Sequence, residues 1–118
     1  MTCVSLDEVV TMQGLDRLDF IKIDCEGAEL EILEGARETL SRFHPTVVLE
    51  FNAHCLMNFA RINPPEALER IMRMFPRVQR VTVSRENKGT LAPIGDPYVF
   101  MHDHVMKHGC REDLLCTF

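Results

Sequence analysis

Three carboxylates, a thiol and a glycine crowd the stretch Asp24-Cys25-Glu26-Gly27-Ala28-Glu29. Carboxylates held together in this way can take up a proton, bind a hard cation or face a positively charged ligand. Glu50 lies further on, and His54 follows it by four residues, with a ring whose ordinary pKa suits general-base work. A plainer reading needs no ligand: Asp24 caps the next helix, the glutamates decorate its first turn, and His54 is a loop residue that bonds locally. Asp24, Glu26 and Glu50 are also hard oxygen ligands of the kind magnesium takes, but no spacing selects that option and no metal is assigned. His102, His104, His108 and Cys110 form a second polar cluster whose spacing matches no regular structural zinc pattern, and a solvated tail accounts for it.

The elements that must position these groups can be read from periodicity. Val4 to Met12 reads as a short helix with Ser5 or Asp7 as its cap. Phe20-Ile21-Lys22-Ile23 reads as a buried strand that ends at Asp24. From Gly27 onward Ile32, Leu33, Ala36, Leu40 and Phe43 line one helical face, with Glu31, Glu34, Glu38 and Arg42 on the other, and His44-Pro45 stops the helix. Thr46 to Phe51 is β-branched and apolar, as a strand covered on both faces should be. Asn63-Pro64 opens a further helix that carries Leu68, Ile71, Met72 and Phe75. Val78 to Val83 alternates like a strand nearer an edge, and Ser84 to Pro97 is a loop or hairpin. Tyr98 to Met101 reads as a last short strand, and 104–118 as a loose tail or terminal helix. The sequence thus predicts an α/β fold with a mainly parallel sheet, a last antiparallel strand and helices on its faces.

In such sheets ligands bind beyond the carboxyl ends of the strands, which is where Asp24, Glu26 and Glu50 fall. At 118 residues the chain holds one domain, residues 1–103 with a tail after them. Its net charge of −5, with basic residues scattered, lacks the footprint of a nucleic-acid binder. No apolar run approaches the ~20 residues of a membrane span and no signal-peptide pattern opens the chain, so a cytoplasmic location is expected. The five cysteines have no paired short spacing and read as reduced thiols.

Ser5-Leu6-Asp7, the run Ile21-Lys22-Ile23-Asp24-Cys25-Glu26-Gly27-Ala28-Glu29, Leu33-Glu34-Gly35-Ala36, and Pro45 before a strand ending Leu49-Glu50-Phe51 together resemble the FkbM methyltransferase family, with Cys25 where that family usually has valine. The resemblance implies a Rossmann-like class I sheet, S-adenosylmethionine as cofactor and O-methyl transfer to a hydroxyl of a small molecule or sugar. It implies that Asp24, Cys25, Glu26 and Gly27 border the cofactor; Asp24, Glu26 and Glu50, at the ends of neighbouring strands, are then placed to converge beside the donor methyl, with His54 within reach as a general base. The family's glycine-rich loop follows its first strand, and no Gly-x-Gly occurs in this sequence. The expectation is therefore a C-terminal half of the domain, inactive by itself. The alternative is a non-catalytic binding module derived from such a domain. In either case Phe20 to Ile23 would present an open edge, through which a homodimer is expected to form.

Overall fold

A computed structural model describes residues 2–86 and 88–118. Ser5 caps α1 (Leu6–Gln13) through a reciprocal capping box with Glu8, and Gly14 in the left-handed region ends it. The helix docks through Asp7, whose carboxylate accepts the Thr39 hydroxyl (2.6 Å) and the amides of Thr39 (2.8 Å) and Glu38 (3.1 Å). The amide of Asp7 in turn donates to the carbonyl of Gly35 (3.0 Å).

That docking point explains a departure from the expected single helix after Gly27. The segment forms two helices, α2 (Glu29–Glu34) and α3 (Arg37–Phe43), broken at Gly35-Ala36. A Cβ at Gly35 would lie 3.2 Å from that of Ser5, so glycine there eases the close approach of α1. The apolar stripe runs through the break: Leu30, Leu33, Ala36 and Leu40 are all buried.

β1 (Phe20–Ile23) and β2 (Thr46–Asn52) pair in parallel, with Ile23 opposite Leu49. A three-residue helix, α4 (Ala53–Cys55), and a π-helical turn (Leu56–Ala60) follow, and then α5 (Pro64–Met74), capped by Asn63 as expected. Phe75-Pro76 leads into β3 (Arg77–Val83), which turns back as a hairpin into β4 (Gly89–Pro93).

The remainder departs from expectation. Tyr98 to Met101 is not a strand but the first turns of α6 (Pro97–His108), and the stretch read as a tail contains β5 (Arg111–Thr117). β5 inserts between β2 and β3, antiparallel to both, in the order β1-β2-β5-β3-β4. The sheet is therefore mixed, with one parallel ladder and three antiparallel ones, rather than mainly parallel. The physical cause is that an antiparallel strand entering at the centre converts both ladders it touches.

Partners across a ladder share a face, so the registers sort the sheet's side chains. Ile23, Val47, Leu49, Phe51, Leu114, Cys116 and Val78 lie on one face and are buried. There α2 packs on β2, α5 on β3 and α6 on β5. Burial pushes the Cys116 thiol up to about 12. Phe20, Lys22, Val48, Leu115 and Val81 share the opposite face, which is half-buried to exposed.

α6 is fixed over β5 by a buried charge network. Glu112 accepts from Arg80 (Nε, 2.9 Å) and pairs with His104 Nδ1 (2.6 Å), and Arg80 lies over the Phe100 ring. The His104 ring is fully buried between Phe51 and Phe100. Burial lowers its pKa more than Glu112 raises it. The cluster once open to a zinc reading thus divides, with His104 in the core and His102 exposed.

Asp7 gives a direct test of the α1 docking. Burial opposes its charge, but the hydroxyl and amides of Thr39 and the Glu38 amide outweigh this and lower its pKa. Asp7→Ala should cost about 1–3 kcal/mol, read as a lower urea midpoint. Because the native pKa lies below the unfolded one of about 3.9, this contribution is complete above that pH and fades as pH falls through the native value. The variant should show a correspondingly flatter stability curve in that acid window.

Candidate functional site

The residues singled out from the sequence sit where β1 and β2 end side by side. The Ile23–Leu49 pairing places Asp24 and Glu50 at adjacent strand positions on that rim. Beyond Ile23 the chain forms a tight loop, with Glu26 at φ 50° and Gly27 at φ 112°. The first is a left-handed conformation that costs a non-glycine residue about 1–2 kcal/mol. Something must hold it.

Glu29 supplies the hold. Its side chain is 3% exposed, and its two carboxylate oxygens accept the amides of Cys25 and Gly27, each at 2.9 Å. A buried anion is thereby satisfied and the loop is clamped around it. By spacing alone Glu29 is a complement to a helix start, and nothing in that spacing reveals that its carboxylate turns back into the loop. The clamp also means that the amides of Cys25 and Gly27 are already engaged within the chain.

Gly27 packs against the next element. A Cβ there would lie 3.0 Å from the Cys55 carbonyl oxygen and 3.2 Å from its carbon. Asn52, the last residue of β2, aims this segment by accepting the Cys55 amide (3.1 Å) as the cap of α4. Cys55 itself is buried, and its thiol pKa is raised, first by burial and then by the charges of Glu26, Glu50 and Glu29.

Glu50 is 5% exposed and pairs with Arg111 at the start of β5. Arg111 stands opposite Asn52 in the ladder, so it reaches Glu50 diagonally. This partner lies in the stretch expected to be a tail and had no sequence signal as a site residue. Asp24 is exposed and lies 3.6 Å from Lys22 Nζ. His54 is exposed and turned to the π-helical turn that follows it, where its ring nitrogen Nδ1 is 3.2 Å from the side-chain Nδ2 of Asn58. The structure therefore turns Glu29 into the loop that carries Glu26, pairs Glu50 with Arg111, leaves Asp24 on the open rim and directs His54 to Asn58. Among the described residues no three His, Cys, Asp or Glu side chains converge in a way that could hold a metal ion. No helix there is long and apolar enough to cross a membrane.

Comparison with known proteins agrees with the segment that carries this geometry. The model of the methyltransferase FkbM domain matches residues 1–80, and the chain belongs to that methyltransferase family. Methyltransferase sdnD of Sordaria araneosa is 50% identical over 38 residues, which is 32% of this chain and 15% of that protein. No solved structure matches.

Two substitutions separate the clamp from its packing. Gly27→Ala, which meets a backbone carbonyl as well as an unfavourable φ, should destabilise by at least about 1 kcal/mol. Glu29→Ala should cost about 1–3 kcal/mol for each amide left unpaired. Amide hydrogen exchange at Cys25 and Gly27 should accelerate in the Glu29 variant beyond what the global loss of stability explains; unchanged protection would count against the clamp.

Proposed function

We propose that this chain carries the later strands of an S-adenosylmethionine-dependent methyltransferase domain of Rossmann-like class I type, which transfers a methyl group to a hydroxyl of a small molecule or sugar. The observation that carries the reading is that Asp24 and Glu50 stand side by side on the rim where two parallel strands end, with Glu26 in the loop just beyond Asp24. A carboxylate-rich rim suits a donor that bears a positive sulfonium. When bound, S-adenosylmethionine supplies an already activated methyl group, so the protein's own part is to position the acceptor and remove its proton. Glu50, shielded from solvent and paired only through an exposed Arg111, is our choice of proton acceptor, with Glu26 and Asp24 facing the donor side. His54 takes no part in this assignment, because it turns towards Asn58.

Further support comes from what covers the sheet. One face lies under α2, α5 and α6, while the face carrying Phe20, Val48 and Leu115 is half-open, and the outer edge of β1 has no neighbour among the described residues. A preceding half of the domain, with its glycine-rich loop and first strand, would cover both. In that longer domain Glu50→Gln should lower methyl transfer by at least ~100-fold with little change in melting temperature. Titration with S-adenosylhomocysteine should give saturable binding to the longer domain and none to this chain alone. Saturable micromolar binding by the chain itself would overturn the missing-half reading.

The open edge favours a second reading, an α/β interaction module that uses β1 to pair with another strand. Phe20 is 55% exposed on that strand. In solution the isolated chain should self-associate with rising concentration by size-exclusion chromatography with light scattering; a monodisperse monomer would rule out a pairing edge.

A further inference from the structure

We propose that the cavity between α3 and α5 is a binding site for a phosphorylated small molecule that carries a flat ring. The cavity measures about 550 Å³, a size usual for pockets that enclose a small organic ligand. It lies beside His44, where β2 is about to begin, and shares no lining residue with the rim that follows β1 and β2. It is thus a second site at the other end of the strands.

Its chemistry runs against the rest of the chain. Arg37 on α3 and Arg70 and Arg73 on α5 line it, with Glu34 as the one acidic side chain among the lining residues, in a protein whose net charge is −5. Glu34 pairs with Arg70 and so fixes that guanidinium in place, while Arg73 reaches only Glu69, at 3.7 Å. Arg37 has no ion-pair partner among the described residues. Two of the three cations therefore keep most of their donors for an incoming group. Guanidinium forks drawn from two helices match the several oxygens of a phosphate better than a single carboxylate.

The aromatic part of the lining defines the rest of the ligand. His44 and Phe118 stack at 4.6 Å between ring centroids with 22° between their planes, and Phe118 leans on Phe75 at 5.2 Å. Phe118 keeps 39% of its surface exposed. A flat ring on the ligand would cover that surface while its phosphates met the arginines.

Calorimetric titration of the chain at low ionic strength, with adenosine diphosphate and inorganic pyrophosphate as probes, tests this. Adenosine diphosphate should saturate one site and bind at least threefold more tightly than pyrophosphate. Arg37→Ala and Arg73→Ala should each weaken it at least tenfold, and Phe118→Ala should abolish its advantage over pyrophosphate. Arg85→Ala, on the distant β3–β4 turn, should change nothing. Absence of saturable heat with a sample folded by circular dichroism overturns the site. So does an Arg85→Ala loss as large as that of Arg37→Ala, which would mean diffuse attraction. Equal affinity for the two probes overturns the ring half of the proposal.

Discussion

β5 pairs along both of its edges, from Val47 to Asn52 of β2 on one side and from Arg77 to Val81 of β3 on the other. Remove it and β1-β2 and β3-β4 become two small, separate sheets, each below the size at which strands are stable by themselves. The same strand carries Glu112, which ties α6 and β3 together from below, and Arg111, which reaches Glu50 on the rim. Core, helix layer and candidate site therefore share one element, and its register sets all three. The parity is strict: a slip of one residue would turn Leu114 and Cys116 outward and carry Arg111 away from Glu50.

The site shows a division of labour between charges that hold structure and charges that remain available. Glu29 is saturated by two amides within its own loop, and Asn52 is spent on the α4 cap. Glu26 and Asp24 have no such internal commitments to backbone among the described residues, and Glu50 is met by one flexible arginine from the surface. The left-handed Glu26 persists because Glu29 and Gly27 fix the residues on either side of it.

Much of this was legible where local signals agree. Ser5 three residues before Glu8, and Asn63 before Pro64, each specify a helix start by chemistry that needs no tertiary partner, and the β1-α-β2 unit follows from its apolar periods. The misreadings have physical causes. Tyr98-Val99-Phe100-Met101 is as apolar as a strand, yet Asp96-Pro97 ahead of it repeats the cap-and-proline signature seen at Asn63-Pro64. In the helix Phe100 and His104, four apart, are buried, while Tyr98 and Val99 are exposed. β5 was hidden because one of its inward positions is a glutamate. Glu112, Leu114 and Cys116 do alternate inward, but a carboxylate in a buried slot reads as solvent-facing until Arg80 and His104 are seen beside it. The Glu29 clamp and the Arg111–Glu50 pair depend on backbone direction and on long-range register, neither of which a spacing pattern encodes.

The strand order carries a consequence for how the protein is made. The central strand is the last of the five in the sequence, so during synthesis β1, β2, β3 and β4 all emerge before the element that joins them. Closing the sheet requires contacts between residues far apart in the chain, which slows folding and prolongs the time that unpaired edges of β2 and β3 stay open. A nascent chain paused before residue 111 would have every helix of the fold and no continuous sheet. Loss of a few residues near 111–117 should therefore act as an all-or-none lesion, whereas trimming β4, whose residues are all exposed, should be felt only locally.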